Sequence, residues 1–389
     1  MGGRRKDTAP RVAAICAASL SNNSGMITVD LALRSLAADL GFADTLDLYT
    51  VEHEHTVHPL LQYRELSSVQ QLEGYDRIVY WGDFLHSRPY HVGDLVNRAQ
   101  TRGVTAEEML GSRVLPLLLA DGASPDLARR IIVSGGSLYI NRIEDDAYPQ
   151  YRSAMENLYS GARLALLRDP VSAQYASRFM RAVTPPDTLG VDSAFLLRPF
   201  ADLDWREDPL PGPQSPILGF SFGRGLAKNP ESRAAMQGFV KEIAARLGCT
   251  ELCDVAWLGR NRKDPVGGVM GKLRTIRTLR AVVTDTYHCA VNSWREGVPA
   301  ICIGRGAEHP VGPLSDKKKE LLYLMFNMKQ FYCFIEQLQT DMPGAVERAA
   351  AALGNEAAID RVRRNIELST DRVRARLVDA LLGPQINRQ

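Results

Sequence analysis

Short apolar runs alternate with longer amphipathic segments along the first half of the chain. Residues 26–41 place apolar side chains at helical spacing and predict a helix that ends at Gly41. The apolar runs at residues 11–20, 45–51 and 75–84 predict strands, and further short apolar runs cover 113–120, 130–140 and 162–169. Alternation of this kind favours an α/β structure with a mostly parallel sheet.

The alternation stops once, between Arg198 and Pro216, and then resumes. This segment holds five prolines and few periodic apolar positions, so it predicts an extended linker. Beyond it, strand-like runs at 217–225, 254–259, 281–285 and 299–304 alternate with helical segments at 229–248, 267–280 and 288–297. From Lys317 onward the pattern is largely helical.

The simplest architecture is α/β, with two Rossmann-like domains and a C-terminal helical segment. The predicted bounds are 10–197 for the N-terminal domain, 198–216 for the linker, 217–335 for the C-terminal domain and 336–389 for the C-terminal helices. In such folds ligands bind near the carboxyl ends of the strands, in a cleft.

Charge and cysteine content narrow the classes of partner. Lys and Arg together number 47 and Asp and Glu 45, which gives a net charge of +2. A nucleic-acid or membrane-surface binder is usually far more basic, so neither partner is expected. The six cysteines form no CxxC pair and no apolar run reaches 18 residues, which predicts reduced thiols, no transmembrane segment and a cytoplasmic location.

The segment Ala281–Gly304 offers the most chemistry. A strand ends near Asp285, and His288 then lies at the opening of a predicted helix, after Thr286 and Tyr287. The free N–H groups and positive dipole of a helix N-terminus suit a phosphate or carboxylate, and a histidine there can serve as a general acid. The alternative is a capping or core histidine.

A second candidate is Arg224, in the glycine-flanked turn after the strand that begins at residue 217. It could clamp an anion, or it could be a surface arginine on a turn. No GxGxxG fingerprint and no P-loop accompany it.

Weaker candidates lie in the first half of the chain. Arg168 ends a strand before Pro170, where helix capping is the competing explanation. Asp83 follows Trp81-Gly82 at another strand end, and Asn23 lies in a polar loop before the first helix. The histidines at 53, 55 and 58 lack the spacing of a zinc motif, so neither a metal nor a cofactor is predicted.

Taken together, these segments resemble the polysaccharide pyruvyl transferase family, whose members have a GT-B-like arrangement of two domains. The resemblance covers most of the chain as an ordered series of motifs. The segments that carry it are SNNSGMITVDLALRSL, YDRIVYWGDF, LLRDPVSAQYA with VDSAFLL, ILGFSFGR, TDTYHCAVNSWREGVPAICIG and SDKKKELLYLMFNM.

The resemblance implies transfer of a pyruvyl group from phosphoenolpyruvate to hydroxyls of a sugar or glycoconjugate, forming a ketal and releasing phosphate. It makes His288 the catalytic residue. Donor binding falls to the C-terminal domain and acceptor binding to the N-terminal domain. The implied donor-binding residues are Arg224, Thr286, Tyr287 and Lys318, with Lys317 and Lys319 as alternatives for the lysine, and the acceptor-side residues are Asn23, Asp83 and Arg168.

The chain departs from the family at one position. The family's Arg-Leu-His signature reads Thr286-Tyr287-His288 here, so a cation expected beside the donor is absent. Arg295, Arg305 or the basic stretch 260–280 could replace it. The alternative functions are a nucleotide-sugar glycosyltransferase on the same scaffold and a non-catalytic pathway protein.

Overall fold

The computed structural model describes most of the chain in two compact units. The described residues are 9–17, 23–51, 58–96, 100, 103, 105–141, 148–180, 185–206, 215–223, 225–259, 261, 263–306 and 314–384. The first unit comprises Met1–Leu20, Val29–Phe200 and Asp371–Gln389, and the second comprises Ser21–Thr28 and Ala201–Thr370.

The first unit is built on a parallel six-stranded sheet in the order β3-β2-β1-β4-β5-β6. The strands are β1 (Val12–Cys16), β2 (Leu46–Thr50), β3 (Tyr63–Glu65), β4 (Arg77–Trp81), β5 (Ile131–Gly136) and β6 (Leu164–Leu167). This is the doubly wound order: β2 and β3 are added on one side of β1, and β4, β5 and β6 on the other side. The strand order therefore reverses between β1 and β4, and ligands of such sheets bind at this position.

Helices of very different length connect these strands. They are α1 (Ser24–Leu40), α2 (Arg88–Tyr90), α3 (Ala106–Met109), α4 (Pro125–Ala128), α5 (Pro149–Gly161), α6 (Pro170–Ser177) and α7 (Pro185–Thr188), with π-helical turns at His91–Val96 and Leu110–Leu118 and 3₁₀ turns at Ala43–Thr45, Val69–Leu72 and Ser193–Leu196.

The second unit has a parallel five-stranded sheet in the order β11-β10-β9-β7-β8. Its strands are β7 (Ile217–Ser221), β8 (Glu251–Asp254), β9 (Ala281–Thr284), β10 (Ala300–Gly304) and β11 (Tyr332–Phe334). Its helices are α8 (Pro230–Leu247), α9 (Pro265–Arg277), α10 (Tyr287–Arg295), α11 (Leu314–Met325), α12 (Ile335–Thr340), α13 (Met342–Gly354) and the part of α14 (Glu356–Leu382) up to Thr370, with 3₁₀ turns at Gly225–Lys228 and Lys329–Phe331; from Asp371 onward α14 belongs to the first unit. Here the order reverses between β7 and β9.

Local sequence explains where several helices begin. Asp169, Asn229 and Asp264 each accept a hydrogen bond from a backbone N–H three residues on, and each precedes a proline. An Asx side chain satisfies an orphan N–H of the first turn, and proline loses nothing at the first helical position. Gly248, at φ +68°, ends α8 in the left-handed conformation that glycine favours.

The predicted fold class is confirmed, since both units are parallel α/β structures and helices fill the C-terminal part of the chain. Strands β1, β9 and β10 are buried on both faces, which explains their nearly continuous apolar sequence. No helix in the described part of the chain has the length and apolar character needed to cross a bilayer.

One strand prediction was wrong, and one apolar run is helical. The strand predicted at 254–259 lies earlier, at β8, because the chain turns after Asp254, whose carboxylate accepts the Ala256 N–H at 2.8 Å. The apolar run 113–120 is mostly helical and belongs to Leu110–Leu118. Within the predicted linker, residues 207–214 lie outside the described residues, whereas Trp205 is buried.

Candidate functional site

The candidate site lies at the carboxyl edge of the second sheet, where the strand order reverses between β7 and β9. Hydrogen bonds join the two strand ends there. The Thr284 hydroxyl donates to the Ser221 carbonyl at 2.7 Å, and the Gly223 N–H donates to Asp285 Oδ1 at 3.1 Å. The edge is therefore held in one arrangement by the polar residues that end its strands.

Thr286 occupies the N-cap position of α10. Its N–H donates to Thr284 Oγ1 at 3.0 Å and its hydroxyl donates to Asp285 Oδ1 at 3.1 Å. Its side chain is buried and directed at Asp285. Thr286 thus shapes the turn before His288 and brings no charge to it.

His288 lies in the first turn of α10, packed against the first turn of α1. Its side chain is only 7% exposed. A Cβ atom on Gly25 would lie 2.6 Å from His288 Cγ, so only glycine permits this approach. Asn292 fixes the contact further, because its amide donates to the His288 carbonyl at 2.7 Å and to Thr28 Oγ1 at 3.2 Å.

Asn23 caps α1 beside this histidine. Its Oδ1 accepts the Gly25 N–H at 3.0 Å, and its carbonyl accepts the Ile27 N–H at 3.0 Å. Asn23, assigned to the acceptor side by resemblance, therefore lies with the predicted donor residues. Two helix N-termini, those of α1 and α10, converge on His288.

The three successive lysines of α11 have three different environments. Lys317 is exposed and pairs with Glu320 at 2.8 Å. Lys319 is buried, donates to the carbonyls of Ile303 at 2.8 Å and Asp285 at 3.1 Å, and pairs with Asp316. Lys319 is therefore a brace between the ends of β9 and β10.

Lys318 lies against the aromatic ring of Tyr287. It is half-buried, and its ammonium lies 5.0 Å from the centre of the Tyr287 ring. The ring of Tyr287 in turn meets the His288 ring edge-on, with centroids 5.0 Å apart. Lys318, Tyr287 and His288 thus lie side by side in one row of contacts.

A small cleft runs between these side chains. Its lining residues are Asn23, Trp257, Asp285, Thr286, Tyr287, His288, Lys318 and Lys319, and its volume is about 20 Å³. That is room for about one water molecule, so a donor must open the cleft or bind at its mouth. Two larger grooves, of about 570 and 680 Å³, are lined by none of the predicted site residues.

Other groups near the cleft are unsuited to chemistry. Cys289 is fully buried next to His288, and burial raises its pKa to about 12, which keeps it a thiol at neutral pH. Arg295, a proposed replacement for the missing arginine, has a side chain that is only 4% exposed and donates to Glu296 Oε1 at 2.7 Å. Arg224, Arg260 and Arg262 lie outside the described residues.

The remaining predicted residues belong to the first unit. Arg168 is 3% exposed, its Nη1 lies 3.0 Å from Asp192 Oδ2, and its guanidinium lies 4.9 Å from the centre of the Phe84 ring. Asp83 follows β4 at φ +47°, and its carbonyl accepts the Ser137 N–H at 2.7 Å. Arg168 is thus held in a buried ion pair, whereas Asp83 occupies a tight turn at the strand edge.

Sequence reasoning missed two residues near these sites and did not single out a third. Trp257 lines the cleft, but its position was assigned to a strand. Asp30 was interpreted as an ordinary helix position, and Lys272 was one of several basic residues in the stretch 260–280, for which a phosphate cleft and a solvated helix face were both considered. Asp30 carried a detectable signal, since it is a carboxylate among the apolar residues of α1.

Asp30 is buried at the carboxyl end of β1 in the first unit. Tyr63 donates to its Oδ2 at 2.5 Å, and its Oδ1 has no partner among the described residues. Burial raises the pKa of Asp30 to about 7, an effect that the Tyr63 hydrogen bond opposes.

No cluster of three or more His, Cys, Asp or Glu side chains suited to a metal ion occurs in the described ranges. Of the histidines considered for a metal, those at 53 and 55 lie outside these ranges. His58 Nδ1 accepts the Leu60 N–H at 3.1 Å.

No protein-family model matches the chain, and no curated protein matches it in sequence.

Solved structures give distant likenesses. One is assigned as a UDP-N-acetylglucosamine 2-epimerase from Listeria monocytogenes, with 11% identity, 96% of each chain covered and a TM-score of 0.47. Another is CalG4, the calicheamicin glycosyltransferase, with 17% identity, 97% of this chain and 99% of that chain covered and a TM-score of 0.44. UGT89C1 of Arabidopsis thaliana, solved with quercetin, has 12% identity, 96% and 100% coverage and a TM-score of 0.46. These likenesses are too distant to carry a reaction over to this chain.

Proposed function

We propose that the chain is a group transferase that binds a phosphorylated, carboxylate-bearing donor beside His288. The donor we propose is phosphoenolpyruvate, and the acceptors are hydroxyls of a sugar or glycoconjugate. The observation that supports this most is the convergence of the N-termini of α1 and α10 on His288, with Lys318 in the same row of contacts.

The electrostatics of this site favour an anion. Each helix N-terminus carries a partial positive charge, and Lys318 adds a full charge. The carboxylate of Asp285 already accepts two hydrogen bonds, from Gly223 and Thr286. Phosphate and carboxylate groups are the ligands that such a surface binds best.

His288 is suited to the proton transfer that this reaction needs. As a general acid it would deliver its proton to the methylene carbon of the donor, while one sugar hydroxyl bonds to the neighbouring carbon and passes its proton to the His288 imidazole, which restores the acid form. A second hydroxyl then displaces phosphate from that carbon, which closes the ketal, and its proton leaves with the phosphate. The oxygen–phosphate group is lost intact, so atoms and charge balance.

The second candidate is a glycosyltransferase that uses a nucleotide sugar. Thr286 favours it, because this buried side chain brings no charge where the pyruvyl transferase family has an arginine. A nucleoside diphosphate is anionic too, and it could use the same helix N-termini and Lys318. The acceptor-side roles of Asn23, Asp83 and Arg168 and the donor-side role of Arg224 stay predictions.

The test is turnover by the purified protein with phosphoenolpyruvate and a panel of glycosides. We expect phosphate release together with a glycoside that gains a pyruvate ketal in its mass spectrum. His288→Ala should lower the rate by roughly 10²–10⁴-fold, the usual range for a general acid. Lys317→Ala, on the exposed face of α11, is the matched control and should leave the rate unchanged.

Two results would contradict the proposal. One is a His288→Ala variant that turns over at the wild-type rate, and the other is no turnover and no donor binding with any glycoside. Stabilisation of the protein by UDP and not by phosphoenolpyruvate would replace the pyruvyl donor with a nucleotide sugar.

A further inference from the structure

We infer that Lys272 supplies the positive charge that the family signature places at position 286, acting on the anionic donor through Ser24 and the first turn of α1. This inference rests on the proposed function of the His288 site. Lys272 is a positioning residue in this account, because it does not line the cleft itself.

Lys272 contacts two segments next to the cleft, the start of α1 and the turn after β8. Its Nζ lies 2.8 Å from Ser24 Oγ, at the first residue of α1. It also donates to the carbonyls of Trp257 at 3.0 Å and Gly259 at 2.6 Å, in the turn after β8. One ammonium group therefore joins the start of α1 to the turn that carries Trp257.

Both the start of α1 and the turn that carries Trp257 lie next to the proposed donor position. Gly25, next to Ser24, packs on the His288 ring, and Trp257 lines the cleft. The Trp257 N–H donates to Ser221 Oγ at 3.0 Å, which ties the turn to the end of β7. Movement of Lys272 would thus displace the surfaces on either side of His288.

The position of this charge is unfavourable unless an anion binds nearby. A cation at a helix N-terminus opposes the helix dipole, and burial lowers the pKa of Lys272, so both effects disfavour an ammonium group there. No carboxylate pairs with Lys272 in the described part of the chain. A bound phosphate or carboxylate would remove both penalties.

A second, independent feature points to a ligand at this cleft. The indole nitrogen of Trp257 is fully buried, and among the described residues it has no hydrogen-bond acceptor. Buried donors of this kind are rare, because leaving one unsatisfied costs about 1–3 kcal/mol. An anionic oxygen that enters the cleft on opening would satisfy it.

The test measures binding of phosphoenolpyruvate, inorganic phosphate and UDP by calorimetry at two salt concentrations. Lys272→Gln keeps a polar side chain but removes the charge, and we expect it to weaken anion binding roughly tenfold and to flatten its salt dependence. Lys272→Arg should restore most of the affinity. Arg274→Gln removes the same charge from the exposed face of α9 and should change neither quantity.

The outcomes separate this inference from the proposed function. If the wild type binds phosphoenolpyruvate and Lys272→Gln binds it equally well, the inference is wrong and the proposed function stands. If only UDP binds and Lys272→Gln weakens it, the inference stands and the pyruvyl donor is wrong. If affinity simply follows melting temperature across the variants, with an unchanged salt slope, Lys272 is a structural brace and the inference is overturned. If the wild type binds no anion, both are wrong.

Discussion

The two sheets carry opposite chemistry at the same topological position. In the first unit, the reversal of strand order between β1 and β4 is surrounded by carboxylates: Asp30 is buried there and Asp83 follows β4, while Arg168 at the end of β6 is paired with Asp192. In the second unit, two helix N-termini, a histidine and lysines surround the reversal between β7 and β9, and the carboxylate there, Asp285, accepts hydrogen bonds from Gly223 and Thr286. The fold thus sets the position of a site, and the side chains at the strand ends decide which ligand it suits.

This contrast also separates a charge held in a buried ion pair from a charge that our proposal assigns to donor binding. Arg168 and Lys318 were both predicted from the resemblance, yet one is 3% exposed in an ion pair and the other is half-buried over an aromatic ring. A buried pair stabilises its surroundings only as a pair, whereas a half-buried cation at a cleft can change partners. The next predictions test this difference.

Arg168→Ala should have the largest effect on folding. It leaves the Asp192 carboxylate buried without its partner, and breaking a buried pair in this way costs about 3–5 kcal/mol. Denaturant unfolding measures the loss. Arg198→Ala, which breaks the exposed pair with Asp371, is the control and should cost less than about 1 kcal/mol. Equal losses in the two variants would refute the structural role of Arg168.

Asp30→Asn should change how stability depends on pH. The pKa of Asp30 is about 7 in the folded protein and near 3.8 for an ordinary aspartate, so the folded state holds this proton more tightly. The wild type therefore loses stability as the pH rises from about 4 to 7, and the variant does not. Between pH 5 and pH 8 the variant should gain up to about 2.7 kcal/mol relative to the wild type.

Thermal or urea unfolding at several pH values measures this gain, since other titrating groups cancel in the difference between the two proteins. Tyr63→Phe gives a second readout. Loss of its hydrogen bond should raise the pKa of Asp30 further. The free energy of unfolding should then keep falling to a higher pH than in the wild type. A difference between Asp30→Asn and wild type that does not vary with pH would contradict the raised pKa.

Gly25→Ala should disturb the second site. The added methyl group would overlap the buried His288 ring, and overpacking of this kind typically costs about 1–3 kcal/mol. We expect turnover to fall with stability because the ring must move. Gly271→Ala is the control: nothing lies within 4 Å of a Cβ added there, so it should be neutral or slightly stabilising. Equal behaviour of the two alanine variants would rule out the close contact.

Lys318→Met should have the smallest effect of this series. It removes the charge at the cleft but keeps the apolar stem over Tyr287, so we expect donor affinity to fall about threefold to tenfold with little change in stability. Lys317→Met removes the neighbouring exposed charge and should leave affinity unchanged. If the two variants bind the donor equally, Lys318 is not a donor ligand.

The parts of the site that were predictable are local in sequence. The order strand, Asp285, Thr286 and then His288 at a helix start could be deduced because apolar periodicity shows where β9 ends and α10 begins. The same reasoning found Lys318 only as one of three adjacent lysines. The environment that distinguishes them, above all the buried carbonyls around Lys319, comes from β9 and β10.

The parts that were not predictable depend on distant contacts. The packing of Gly25 on His288 and the bond between Lys272 and Ser24, 248 residues apart, follow from tertiary structure alone. Arg295 shows that an adjacent residue can also rule out a predicted role. It looked available as a cation, but the adjacent Glu296 holds it in a buried pair. Trp257 was misplaced because a turn enforced by Asp254 interrupts an apolar run.

The most direct test of the account is a crystal structure with phosphoenolpyruvate bound. We predict that the donor phosphate or carboxylate lies within hydrogen-bonding distance of His288, Lys318 and the first N–H groups of α10, and that the cleft beside Trp257 has opened. A donor bound in either of the larger grooves, or with no contact to His288, would contradict the central claim.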